Sequence, residues 1–120
     1  WNGLYSSFED FASLNSHLDE LAEGEGRDPN SIKRSMMIGC EFGRDDGEVQ
    51  KLVEARTGGK RTAQELRDSM GMAVGTASQV VDHLGKLEEA GGQRVMLQWL
   101  ELDDIDRLEA MARQVLPQVK

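Results

Sequence analysis

From Thr76 to Leu100 the chain issues three backbone instructions in succession, and few folds need them in that order. Thr76 and Gln79 have the Thr-x-x-Gln spacing of a capping box, in which the hydroxyl accepts from the Gln79 amide while the Gln side chain reaches back to the amide of Thr76. A helix begins there. Val80, Leu84 and Leu87 recur at helical spacing with Val81 beside them, and Gly91-Gly92 provides the left-handed backbone that stops the helix near Ala90. Arg94 to Leu100 is then a short, largely apolar run, the pattern of a strand covered on both faces as in a parallel sheet. Helix, glycine turn and buried strand make half of a βαβ unit, which directs the chain to an α/β fold.

The remaining segments fit that frame. Ser6 and Glu9 have capping-box spacing, and Phe11, Leu14, Leu18 and Leu21 follow as one helical face that ends at Gly24-Glu25-Gly26. Asp28-Pro29-Asn30 predicts a turn. Ile32 to Phe42, too short between turn signals for a helix, predicts a strand with Ile32, Met36, Ile38, Cys40 and Phe42 on one face and Met37, Gly39 and Glu41 on the other, where Gly39 leaves room. Residues 43–75 read as a helical excursion between the two strands, with a short helix around Glu48 to Arg56, a Gly58-Gly59 break and a further capping box at Thr62 and Glu65. A last helix runs from Asp103 to Val115, carrying Ile105, Leu108, Met111, Ala112 and Val115 on one face, with acidic residues at its start and Arg113 at its end as the helix dipole favours.

At 120 residues the chain can bury one core, so residues 1–120 are expected to be a single domain. With Asp+Glu 22 against Lys+Arg 14, the net charge of -8 repels phosphate backbones and anionic membranes, and neither nucleic acid nor a membrane is an expected partner. No apolar run is long enough to span a bilayer, and WNGLYSSFEDF lacks the basic and apolar regions of a secretory signal, which makes a cytoplasmic location the expectation. The start at Trp1, with no initiator methionine, raises the expectation of a piece of something longer. Cys40 is the single cysteine, so no intrachain disulfide or cysteine-based metal site is expected, and within a strand it reads as a small buried hydrophobe. His17 and His83 lie beside the apolar stripes of their helices without a partner at metal-ligand spacing, and the six methionines read as core filler. No Ser-His-Asp, Cys-His or paired-carboxylate arrangement appears, so the sequence assigns no catalytic residue and no metal site.

Three local features together resemble the C-terminal part of the luciferase-like monooxygenase family, flavin- or deazaflavin-dependent oxidoreductases built on a TIM barrel. They are Trp1-Asn2 before a capped helix, Gly26-Arg27-Asp28-Pro29 running through Ile32 to Ser35, and Gly75-Thr76 leading through a helix to Glu89-Ala90-Gly91 and Arg94-Val95-Met96-Leu97. Ala77 stands where that family often has proline, and Gly92 where it usually has an apolar residue. The resemblance implies that Trp1-Asn2 ends the sixth barrel strand, Ile32 to Phe42 is the seventh, and Arg94 to Leu100 the eighth. A barrel of this kind needs about 250 residues, so the expected fold is a partial barrel with two main parallel strands and four to five helices. Open strand edges and an uncovered face favour pairing into a homodimer or a rearranged sheet.

The resemblance further implies FMN or a deazaflavin coenzyme as cofactor, with contacts at the C-terminal ends of the strands. Gly75 and Thr76 begin a helix whose free amides suit an anion, though they serve equally as an ordinary cap. Lys60 and Arg61 beside Gly58-Gly59 can add charge to a phosphate or remain a solvated pair, and a Walker loop is excluded because the earlier glycine is missing. Gln98 faces opposite to Val95, Leu97 and Trp99, where its amide can hold a ligand or satisfy the core, and Trp1 can stack on a flavin ring or simply pack. The functional expectation is a segment of such an oxidoreductase, incomplete alone because most flavin contacts and catalytic groups of the family come from earlier strands. The alternative is a stand-alone, non-catalytic dimeric module that binds a small anionic or aromatic ligand or a partner protein.

Overall fold

The computed structural model describes residues 1–119. In chain order the elements are β1 (Asn2–Leu4), α1 (Phe8–Gly24), a 3-10 turn (Pro29–Ser31), β2 (Ser35–Phe42), α2 (Asp46–Thr57), α3 (Ala63–Met70), β3 (Ala73–Gly75), α4 (Ala77–Glu89), β4 (Arg94–Gln98), α5 (Ile105–Val115) and a closing 3-10 turn (Leu116–Gln118). The two main strands, β2 and β4, are joined by two three-residue strands, β1 and β3. Strand β2 starts three residues later than the sequence suggests because Pro29 and the Asp28 cap bend the chain into the 3-10 turn.

Each helix start has an identifiable cause. The α1 cap is Ser7, whose hydroxyl accepts from Asp10 N at 3.1 Å, so the expected Ser6-Glu9 box lies one residue too early. Asp45 caps α2, Asp104 caps α5, and Thr62 with Glu65 forms a complete box at α3, with hydrogen bonds of 2.9 and 3.1 Å. Helices α2 and α3 stop at Gly58 and Gly71, with φ of 63° and 62°, the left-handed geometry that glycine adopts without Cβ strain.

All strand pairs are parallel, and every pair includes β2. Ser35 N, Met37 O and Gly43 N bond toward Trp1, Tyr5 and Gly75, whereas Arg34 O accepts from Gln93 N. Backbone groups of alternate residues point to opposite edges, so β1 and β3 follow one another along one edge of β2 and β4 takes the other. The sheet is therefore three strands wide and does not close on itself.

One sheet face is sealed by helices. Met36, Ile38, Cys40 and Phe42 pack there with Phe11 of α1, Val80 and Leu87 of α4, and Met111 and Val115 of α5. Val95, Leu97 and Trp99 join them from β4 and its exit. A smaller second core, Val49, Val53, Leu66, Met72 and Val74, seats α2 and α3, with Tyr5, Ala63 and Met70 at its margin. The apolar face expected for α1 is corrected: Phe11, Asn15 and Ala22 are its buried residues, while Leu14 and Leu21 are exposed. Asn15 belongs inside because its Nδ2 donates to Ala90 O at 2.9 Å, tying α1 to the end of α4. Gly92 has a local reason, since a Cβ there would lie 2.9 Å from Leu87 O.

Candidate functional site

The open face of the sheet presents ordered cross-strand rows. Leu4, Met37 and Met96 are register partners across β1, β2 and β4, forming an apolar row in which Leu4 is 57% and Met96 40% exposed. Two residues further toward the strand C-termini, Gly39 pairs with Gln98. A Cβ on Gly39 would sit 2.8 Å from Met72 Cε and 3.2 Å from Tyr5 Oη, so glycine there makes room for the Tyr5 phenol. That phenol donates to Gln98 Oε1, a bond between residues at opposite ends of the chain. Among the described residues Tyr5 is the one non-glycine with positive φ, at 43°, a conformation that costs free energy outside glycine.

One row on, Glu41 is 3% exposed and anchors a buried ionic network. Its carboxylate accepts from Arg56 Nε of α2 at 2.6 Å and lies 3.8 Å from Arg107 Nη1 of α5. Arg107, itself 3% exposed, also donates to Phe42 O at 3.1 Å and Asp104 Oδ2 at 2.7 Å, and lies over the Trp99 ring at 4.7 Å. The hydrogen bond from the Arg107 guanidinium, followed by that from its amide, holds the Asp104 carboxyl below its ordinary value. Burial, helped by the Glu41 charge, pushes the neighbouring Cys40 thiol up to about 12, so it carries no thiolate at neutral pH. The network locks the excursion and the start of α5 to the C-terminal end of β2.

The start of α4 lies beside this region. Thr76 N donates to Gln79 Oε1 at 2.9 Å, while the Thr76 hydroxyl is 3.4 Å from both Ser78 Oγ and Gln79 Oε1. Gly75 has φ 146° and could not carry a Cβ, because Gln79 Cβ would be 2.6 Å away. Ser78 and Gln79 open onto a depression of about 330 Å³ that Arg67 also lines. Arg67 Nε is fixed by Val74 O at 2.7 Å. Lys60 and Arg61 border a different depression of about 350 Å³, between α2 and α3, with Glu54 and Glu65. Of the residues singled out from sequence, then, Gly75 and Thr76 lie together, Gln98 joins Tyr5, and Lys60-Arg61 stand apart. Trp1 stacks on Phe11, ring centroids 5.6 Å apart, and is 43% exposed.

The histidines differ. His17 is exposed, 3.8 Å from Glu20. His83 is buried, its Nε2 3.2 Å from Gly71 O and its ring 4.7 Å from Phe8, and burial lowers its pKa below the ordinary 6.5. No group of three or more His, Cys, Asp or Glu among the described residues is arranged to hold a metal, and none of the described helices is long and apolar enough to cross a membrane. Sequence reasoning passed over Tyr5, Arg56, Arg67 and Arg107. A lone carboxylate inside an otherwise apolar strand, Glu41, was the one signal that a buried cationic partner had to exist.

The fold is similar to part of the fold of several solved enzymes. The chain matches an F420-dependent secondary alcohol dehydrogenase with a TM-score of 0.70 and 16% identity, covering 99% of this chain and 42% of that one. The coenzyme F420 dependent tetrahydromethanopterin reductase from Methanopyrus kandleri gives 0.68 and 17%, with coverages of 99% and 45%, and a long-chain alkane monooxygenase gives 0.67 and 18%, with 98% and 36%. The chain thus spans less than half the length of these neighbours. No protein-family model and no curated protein matches the sequence, so the likeness is one of fold.

Proposed function

We propose that this chain is the C-terminal βα segment of a luciferase-like flavin- or deazaflavin-dependent oxidoreductase, catalytically incomplete alone and active when the preceding strands of a barrel complete the sheet. The observation that carries the reading is overlap of nearly the whole chain, in order, with part of F420-dependent enzymes, combined with polar side chains concentrated at the C-terminal ends of β2 and β4. Its residues fit a phosphorylated coenzyme in one respect: the first amides of α4, the Thr76 hydroxyl and the positioned Arg67 guanidinium provide donors and positive charge for a phosphate. Each depression also carries two carboxylates, Asp68 and Asp82 beside Arg67 and Lys86, and Glu54 and Glu65 beside Lys60 and Arg61, so the amides at the α4 start are what favour the first. When bound, such a coenzyme supplies hydride transfer, and this chain's part is to bind and orient it. A cytoplasmic location belongs to the same reading.

Fluorescence and calorimetric titration of the chain with FMN and with the deazaflavin coenzyme, alone and with a co-expressed N-terminal half of a luciferase-like barrel, tests this. Saturable binding that strengthens in the reconstituted protein is expected. Absence of binding in both preparations overturns it. A second reading, a non-catalytic homodimeric module, is favoured by the unpaired outer edges of β1 and β4 beside the exposed Leu4 and Met96. Sedimentation equilibrium separates the two, since the module requires a concentration-dependent dimer.

A further inference from the structure

The depression between α3 and α4 holds one buried imidazole among charges that cancel. Arg67 and Lys86 line it with Asp68 and Asp82, so the four formal charges sum to zero and the state of His83 decides the sign. Lys86 Nζ is 3.0 Å from Asp82 Oδ2, and Gln64 Nε2 donates to the two oxygens of Asp68 at 3.0 and 2.9 Å. Arg67 donates instead to two neutral oxygens, Val74 O at 2.7 Å and Gln64 Oε1 at 3.1 Å. From α1 comes the uncharged Phe8 ring, 4.7 Å from that of His83.

His83 is 4% exposed, and its two nitrogens are placed differently. Gly71 O can only accept, so Nε2, 3.2 Å away, carries the proton of the neutral ring. Nδ1 keeps a lone pair and has no hydrogen-bond partner among the described residues. Asn15 Oδ1 is the one sealed side-chain polar atom without a partner among those residues, so Nδ1 is not sealed, and the ring lines the depression. A proton taken up at Nδ1 therefore leaves the Gly71 bond intact and adds its charge beside Arg67 and the start of α4. Burial, with the charges of Lys86 and Arg67, keeps the ring neutral at neutral pH, against the Gly71 bond and Asp82. An anion in the depression reverses that preference by offsetting the two cations.

We propose that this depression is a pH-gated site for a doubly charged oxyanion of the phosphate-ester class, in which the anion is held by Arg67 and the first amides of α4 while His83 takes up a proton from solvent at Nδ1. The proposal rests on the phosphate donors of the coenzyme reading above and adds regulation to them. With the anion bound, the His83 pKa lies higher than in the free protein. Affinity is then level at high pH, rises as pH falls through the bound value, and levels again below the free value, which lies under 6.5.

Sulfate is the probe, because it stays doubly charged across about pH 5 to 8, where a phosphate ester gains a proton. In NMR of the histidine rings of the intact chain, sulfate is expected to raise the titration midpoint of His83 and leave that of the exposed His17 in place, with chloride at matched ionic strength as the control. Sulfate affinity should rise about three- to tenfold from pH 8 to pH 5, the effect of roughly half to one unit in pKa. His83→Gln, which keeps a donor for Gly71 O, should bind sulfate without that pH dependence, and Arg67→Gln should weaken it at every pH. An unmoved His83 midpoint in wild type overturns the proposal without recourse to any variant. The same pH dependence in His83→Gln, or no sulfate binding at either pH, overturns it as well. FMN binding to the reconstituted protein with no change at His83 removes the gate and leaves the coenzyme reading standing. Failure of FMN and the deazaflavin coenzyme there, with sulfate still bound in step with His83, sinks the coenzyme reading and keeps the gate.

Discussion

The two faces of one sheet are built to different standards. On the helix side, Met36, Ile38 and Phe42 are fully buried against three helices. On the other, α2, α3, Tyr5 and Met72 cover only the C-terminal part, and Leu4 and Met96 are left in contact with solvent. The first face is finished by α1, α4 and α5. The second is finished only toward the C-terminal ends of the strands, where Tyr5, Gln98 and Glu41 lie.

Substitutions on either face sharpen or break this contrast. Glu41→Gln should cost the most, about 3–5 kcal/mol, because it removes the buried charge that pairs with Arg56 and leaves the buried Arg107 to Asp104 alone, and urea unfolding would read it. Phe42→Ala, which empties a fully buried position, should cost a similar amount, about 3–5 kcal/mol. Gly39→Ala should destabilise by about 1–3 kcal/mol, since the added methyl meets Met72 Cε and Tyr5 Oη, and thermal unfolding with near-ultraviolet dichroism of the tyrosine would show both effects. A cost near zero would mean that the excursion does not rest on this face.

A pH scan probes the junction of α4 with the excursion. His83 is held below its ordinary pKa, so the unfolded chain takes up the proton first as acidity increases. Stability is therefore full above pH 6.5 and falls as pH drops below that value, and His83→Gln should flatten the slope. Arg67 and Lys86 oppose the added charge while Asp82 favours it, so burial governs the sign. Smallest of all, Met96→Ala should change stability by no more than about 0.5 kcal/mol, as expected for a partly exposed residue. A loss rivalling that of Phe42→Ala would show that the open face is covered in solution.

Much of this architecture was legible because the signals are local. The capping residues Thr62 and Glu65, the glycines that end α2 and α4, and the alternation of β2 are all readable within a few residues. Strands β1 and β3, at three residues each, are too short to leave a period, and α1 misled because its buried face includes Asn15. The site was legible only in part. Gln98 declared itself by alternation, but the partners Tyr5 and Arg107 are brought in by tertiary contacts across 93 and 65 residues, for which sequence spacing offers no guide. Lys60 and Arg61 border the depression between α2 and α3, while Arg67, on the helix that follows them, lines the one at the α4 start.

Strand β2 touches every other strand, and no two of those strands touch each other. No strand pair forms without β2: in its absence the chain near Asn2, Ala73 and Arg94 has no ladder to join. Its amides at Met37 and Gly39 should be among the last to exchange with deuterium, and the free energy of opening them should equal that of unfolding the whole molecule. Loops that bring positions 2 and 94 to Ser35 must close before either pairing gives any return, so each edge of β2 carries its own closure cost.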